Sequence, residues 1–308
     1  MLFCKGKMNK QENKKTGKSI KGKFAFVLAC TIAVSATALC GCKDDEQSVK
    51  AENAQTEMES KPMKEYKFPA ASEENDLLKI ATSIKNPNAK VCYLTFDDGP
   101  TREITPKVLE ILKKYDVKAT FFTLGKMLEA NRDVAKQVVD EGHLLANHSY
   151  YHEYEQLYAS ADSFMGEIEK TQALIDEISE GDSFKLVRFP GGGHNAGSYG
   201  AVKQDYKERL KENGYYFVDW NCLNGDAEAS LRTADQLLAR VKETAIGKNI
   251  VVLMHDAAAK KTTPDALGAI IEYLAEQGYE FKRLDEIDYY EGGSDDESEL
   301  EKTSDMIL

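Results

Sequence analysis

Cysteine is scarce where it could build a framework. Of six Cys in 308 residues, Cys4, Cys30, Cys40 and Cys42 fall within the first 42 positions, leaving only Cys92 and Cys222. Two thiols in apolar strand contexts make neither a CxxC motif nor a disulfide framework, and they read as buried small hydrophobes. A pair between them stays open. Basic charge is not in excess either. Lys and Arg number 40 against 52 Asp and Glu, a formal net charge of -12. That balance argues against non-specific nucleic-acid binding, which needs a basic surface. With 42% hydrophobic and 30% charged residues, the composition excludes collagen, a porin and a multi-span membrane protein, and suits a soluble core.

The charge is unevenly placed. Residues 1–41 hold eight Lys and one acid, Glu12, so the rest of the chain carries -19 against -12 for the whole. Residues 24–41, FAFVLACTIAVSATALCG, contain no charge. A basic stretch followed by a short apolar run reads as a secretory signal. Leu39-Cys40-Gly41-Cys42 then resembles the bacterial lipobox. The resemblance implies cleavage before Cys42, its lipidation, and anchoring on the outer face of a bacterial cytoplasmic membrane. The alternative is an uncleaved membrane-spanning anchor, since the run is near the lower length for a span. Both put the following residues outside the membrane. Residues 42–87, rich in Glu, Lys, Ser, Asn and Ala, read as an extracellular tether with a reach of roughly 35 Å. Residues 289–308 read as an acidic tail, leaving 88–288 as the domain that carries the chemistry.

Within that domain strand-like and helix-like patterns alternate. Strands are predicted at 91–96, 117–123, 143–147, 186–189, 215–219, 249–254 and 280–284. Helices are predicted at 103–115, 127–140, 160–180, 198–212, 231–245 and 264–277. Gly142, Gly214, Gly247 and Gly278 sit just before strands, where helix C-caps belong. Repeating βα units imply a parallel sheet with helices outside. Seven short strands in about 200 residues suit a distorted (β/α)7 barrel, with its chemistry at the C-terminal strand ends.

The polar residues fall on those ends. Asp97 and Asp98 follow the first strand, His148 and His152 the third, His194 the fourth and His255 the sixth, while Arg188 ends the fourth and Asp219 the fifth. Adjacent carboxylates repel unless a cation neutralises them, so Asp97-Asp98 reads as a base beside a metal ligand or as a plain surface turn. The His148-x3-His152 spacing puts two imidazoles on one helical face, a geometry for a divalent metal. Two His and a carboxylate leave a coordination position open for water. Arg188-Phe189-Pro190-Gly191-Gly192-Gly193 is a turn whose glycines let backbone approach a ligand. Trp220 is the only Trp. His143 precedes its strand and reads as structural.

In order, TFDDGP (95–100), HSYYH (148–152), RFPGG (188–192), DW (219–220) and LMHD (253–256) resemble the five motifs of the polysaccharide deacetylase family (NodB-like, carbohydrate esterase family 4). The resemblance covers roughly residues 88–285. It implies hydrolysis of an N-acetyl group from a carbohydrate such as peptidoglycan or a chitin-like glycan, or in some members of an O-acetyl group. It also implies a divalent metal, usually Zn2+, with Co2+, Mn2+ or Ni2+ as alternatives. Carried over by position, Asp98, His148 and His152 bind the metal, and Asp97 is the general base paired to Arg188. His255 is the general acid, oriented by Asp219. Trp220 and Leu253 wall the acetyl pocket. The motif-three Tyr of many members is Gly191 here, which keeps a backbone donor and loses a side chain that shapes the groove. The rival readings are an O-acetyl esterase and a glycan-binding lipoprotein with a decayed site. No protein partner is implied.

Overall fold

The sheet is organised around β1 (Lys90–Asp97), whose alternation decides what lies on each side. Cys92, Leu94 and Phe96 face outward and pack with α2 (Thr105–Lys114), α8 (Ala234–Thr244) and α9 (Thr263–Glu276). Val91 and Tyr93 join a second apolar cluster on the opposite face, and period-two alternation puts Thr95 and Asp97 on that same inner side. A strand buried on both faces reads as one continuous apolar run, as VCYLTF does.

The computed structural model describes residues 66–82, 89–194, 197–228 and 231–287. The signal at 1–41, Cys42, the first part of the tether and the acidic tail lie outside the described residues. Pairing is parallel throughout, in the order β5 (Tyr216–Phe217), β4 (Leu186–Val187), β3 (Leu144–Asn147), β2 (Thr120–Thr123), β1, β7 (Asn249–His255), β6 (Cys222–Leu223). β8 (Tyr279–Phe281) pairs with the first residues of β1. All seven expected strands are present, and β6 is an addition of two residues. Cys92 and Cys222 are buried, free thiols.

β5 and β6 end the pairing path, yet only residues 218–221 separate them. Five residue steps reach at most about 18 Å, whereas seven flat strands would hold the outer two about 29 Å apart. The sheet therefore curls until its margins approach, giving a barrel with a seam. No strand pairing joins β5 to β6 among the described residues.

Residues read above as tether help close that seam. Asp76 forms a parallel bridge with Phe217, and Phe217 N–H donates to Asn75 O at 2.8 Å. Asn75 Nδ2 donates to Lys207 O at 3.0 Å. In α1 (Leu77–Thr82), Leu77, Ile80 and Ala81 are buried and join Phe68, Val91, Leu144 and Val251 in the inner cluster. The tether reading of 42–87 is thus corrected for 66–82. The polar composition around them masked three apolar residues at helical spacing.

The predicted helix 127–140 is two, α3 (Gly125–Ala130) and α4 (Arg132–Asp140), broken at Asn131. The Asn131 amide donates to Pro100 O at 2.9 Å instead of continuing one rod. α5 (Tyr154–Leu157) was not foreseen, and it leads into α6 (Ala161–Ile178), capped by the Ser160 hydroxyl. α7 (Gly200–Glu212) packs its buried face over the outside of β4 and β5 through Tyr206 and Leu210. His143 is buried, and its Nδ1 accepts from Ala119 N–H at 3.1 Å, a structural role as expected. Among the described residues no helix is long and apolar enough to cross a membrane.

Candidate active site

The register of β1 on β7 pairs Asp97 with His255 and Thr95 with Leu253, so all four face the inside of the curl at its rim. Strict alternation would send Asp98 to the other face. Asp98 instead has φ 75°, a left-handed conformation that non-glycine residues hold at a cost and that concentrates at functional sites. This turn gathers both carboxylates in one pocket. Ser149 (φ 69°) and His152 (φ 63°) are likewise left-handed. His148 and His152 are therefore brought together by an irregular turn, not by the helical face the spacing suggests. Their ring centroids are 5.1 Å apart.

Asp98, His148 and His152 each offer one ligand atom, all within 4.8 Å of one another. Asp98 Oδ1 is 3.7 Å from Nε2 of both His148 and His152. His148 Nδ1–H donates to Arg188 O at 2.8 Å, which turns the Nε2 lone pair to the cluster. Burial, reinforced by His152, pushes the His148 imidazole down to about 3, so it is neutral as a ligand must be. Asp98 Oδ1 is buried without a hydrogen-bond partner among the described residues. An orphaned carboxylate oxygen facing two imidazoles fits a divalent cation of the zinc class, which takes N and O donors.

Beside this cluster, Asp97 Oδ1 accepts from Arg188 Nη1 at 2.9 Å, and Asp97 Oδ2 lies 3.8 Å from His148 Nε2. Burial pushes the Asp97 carboxyl up while the guanidinium pulls it down. Arg188 is itself buried, bonded to Thr95 Oγ1 at 2.7 Å and lying 4.1 Å over the Phe122 ring. It holds Asp97 in one orientation.

On the other flank His255 Nδ1–H donates to Asp226 Oδ1 at 2.7 Å. The Asp226 carboxylate also accepts from His255 N–H at 2.9 Å and from Thr263 Oγ1 at 2.8 Å. Burial opposes a charge on His255, but Asp226 outweighs it and the imidazole pKa is raised. Burial would raise Asp226 too, yet its bond to His255 takes it below the ordinary carboxylate range. Next in sequence, Asp256 is fully buried against Gly99 and accepts from Thr105 Oγ1, and burial pushes it up to about 7.

The expectation that Asp219 orients His255 is corrected. Asp219 accepts from Gly193 N–H at 2.7 Å and His194 N–H at 2.8 Å, so it braces the glycine-rich loop. Lys203 Nζ (to Gly192 O, 2.6 Å) and Tyr158 Oη (to Pro190 O, 2.7 Å) hold the same loop. His194 Nε2–H donates to Asp76 at 3.0 Å, tying the loop to the segment that closes the seam. Asp226 was missed because it follows β6, which is too short to be legible. Trp220 is half-buried against the inner cluster with Arg188 5.8 Å from its ring, and Leu253 lies two residues before His255 on the same face of β7. Gly191 has φ 75°.

A second missed residue supports the His148–His152 turn from behind. Glu167 on α6 is buried, and its Oε2 accepts from Tyr150 N–H at 2.9 Å and Tyr151 N–H at 3.0 Å. It satisfies two consecutive donors that the irregular turn leaves unpaired.

Comparisons with known proteins point to one family. A family model described as "Polysaccharide deacetylase" matches residues 84–217. The chain is 32% identical over 205 residues to a Bacillus cereus protein named peptidoglycan-N-acetylglucosamine deacetylase, covering 65% of this chain and 71% of that one. It is similar to the catalytic domain of a peptidoglycan N-acetylglucosamine deacetylase from Eubacterium rectale, with TM-score 0.59 and 31% identity, covering 65% and 90% of the two chains. It is also similar to a Streptococcus mutans CE4 esterase, with TM-score 0.60 and 30% identity, covering 71% and 92%.

Proposed function

The chain belongs to the polysaccharide deacetylase family and is a hydrolytic deacetylase, and from that premise we propose that it is a metal-dependent enzyme removing N-acetyl groups from peptidoglycan N-acetylglucosamine. The observation that carries the metal is the triad Asp98, His148 and His152 with its orphaned, buried Asp98 oxygen. The peptidoglycan substrate rests on the names of the Bacillus cereus and Eubacterium rectale relatives.

An amide is a poor electrophile, and a divalent cation held by Asp98, His148 and His152 would supply Lewis acidity toward the acetyl carbonyl and the attacking water. Asp97 then accepts the water's proton, held for the task by Arg188. As the C–N bond breaks, His255 Nε2 delivers a proton to the departing amine, while its Nδ1–H stays bonded to Asp226. The products are acetate and a free amino sugar. Asp219 sets the loop of Gly191, beside which the sugar would lie, and Trp220 and Leu253 wall the acyl group. Every ionisable group this route needs is present, which disfavours a decayed, binding-only lipoprotein.

The esterase name of the Streptococcus mutans relative favours a second reading, O-acetyl ester hydrolysis at the same site. Residues 1–41 are proposed as a lipoprotein signal and Cys42 as the lipidated residue, which would place the enzyme at the outer face of a bacterial cytoplasmic membrane.

The test is acetate release from purified cell wall and from N-acetylglucosamine oligomers, beside an O-acetylated xylan, by chelated and zinc-restored protein. Zinc-dependent release from the N-acetyl substrates is expected, with mass spectrometry showing acetyl loss on the hexosamine. Asp98→Asn is expected to lose both zinc and acetate release with its circular dichroism unchanged. Full acetate release by that variant would refute the site.

A further inference from the structure

Gly191 leaves a side-chain position open beside the candidate metal triad, and another residue fills it. A Cβ placed on Gly191 would lie 2.8 Å from Tyr154 Oη and 3.2 Å from its Cζ. Tyr154 begins α5, two residues beyond His152, and its ring centroid is 5.4 Å from the His152 ring at an interplanar angle of 40°. The ring also packs against Tyr158 at 5.9 Å and Tyr199 at 6.2 Å. Those two neighbours are themselves fixed: Tyr158 is buried and bonded to Pro190 O, and Tyr199 packs against the α6–α7 cluster. Tyr154 nevertheless remains 39% exposed. Its hydroxyl finds no hydrogen-bond partner among the described residues.

These observations describe an aromatic side chain packed among other rings, more than a third exposed, and placed between a metal-binding imidazole and a glycine-rich loop. A phenol ring offers an apolar face to the C–H face of a pyranose and an O–H to a sugar oxygen, at low entropic cost because two torsions define it. We propose that Tyr154 is a substrate-contacting, specificity-determining residue. Its ring and hydroxyl form the wall, on the loop side of the site, against the hexosamine that carries the acetamide, in the space that Gly191 vacates. The inference rests on the deacetylase reading. It adds to that reading a residue lying outside all five sequence motifs. It also makes Gly191 and Tyr154 a coupled pair: a side chain at 191 has to push the phenol out of its place.

The test combines Tyr154→Ala, Tyr154→Phe, Gly191→Ala and the double variant Tyr154→Ala/Gly191→Ala. Each is measured for acetate release from the N-acetylglucosamine tetramer, for calorimetric binding of the same tetramer, and for zinc affinity. Tyr154→Ala is expected to raise KM and the tetramer Kd by about tenfold, the scale of one lost aromatic contact with its hydrogen bond, while kcat stays within about threefold. Zinc affinity is expected to be unchanged. Tyr154→Phe should show a smaller rise, of about threefold for a lost neutral hydrogen bond. Gly191→Ala strains a backbone at φ 75° in either background, so it should raise KM in both, and by more in the parent, where the phenol clash is added, than in the Tyr154→Ala background.

Tyr154→Ala with KM and Kd within twofold of the parent overturns the proposal. So does a parallel loss of zinc, which would make Tyr154 a support for His152 only. Absence of acetate release by the parent would refute the catalytic reading alone, because the calorimetric comparison still decides Tyr154. A parent that does not bind the tetramer would overturn this proposal as well.

Discussion

Asp226 holds His255 at two points, accepting from its imidazole Nδ1 on one carboxylate oxygen and from its backbone N–H on the other. The imidazole is thereby fixed in orientation and tautomer, with Nε2 left to carry the proton that a leaving amine needs. Asp226 also raises the pKa of His255. A general acid works while protonated, so activity should fall as pH rises through that raised value. In Asp226→Asn the pKa drops, the alkaline limb of the kcat profile moves to lower pH, and kcat falls by about a hundredfold or more. Asp219→Asn should leave that limb where it is. A pH–rate series on both variants checks the assignment.

Glu167 carries a different expectation. Its carboxylate satisfies two consecutive N–H groups of the turn that bears both His. Glu167→Gln keeps one acceptor oxygen of lower charge, so the turn loosens without a cavity. Zinc affinity should weaken by about tenfold, in the lower range seen when a group supporting metal ligands is altered. Competition with a chromophoric chelator measures this without any activity assay.

His143 links acidity to stability. Burial depresses it to about 4 in the folded chain, against an ordinary value of 6.5. As pH falls through 6.5 the unfolded chain takes up the proton first, so stability is complete above 6.5 and is lost progressively down to about 4. The shift corresponds to roughly 3 kcal/mol at most. Tm should therefore fall more between pH 7 and pH 4 in the parent than in His143→Gln.

Leu77 tests the seam. It is fully buried in the inner cluster, although it comes from the segment read as tether. Leu77→Ala should cost about 3 kcal/mol by loss of apolar burial and creation of a cavity. For a domain of this size that lowers Tm by about 6–12 °C. A melt unchanged within a degree or two would mean the segment is not docked in solution.

Much of the site was legible because strand ends are. VCYLTFDD and NIVVLMHD are apolar runs that stop at charged residues, and parallel pairing places Asp97 beside His255. What escaped notice had no such frame. β6 is two residues long, so Asp226 did not register as a strand-end residue. The helical reading of HSYYH failed because positive φ at Ser149 and His152 is invisible in residue types that tolerate either hand. Glu167 reaches the turn from 15 positions beyond His152, a relation set by how α6 packs. Tyr154 was hidden because its place is defined by a glycine in another loop.

The bond from Asp76 to His194 bears on how this enzyme could be moved to another carrier. A graft cut at the start of β1 would discard the strip that lines the sheet margin, and with it one fastening of the loop above the cluster. Pulling on the chain upstream would load that fastening directly. A transplant that preserves the catalyst should keep everything from Tyr66 onward, and any new linker should be spliced in ahead of it.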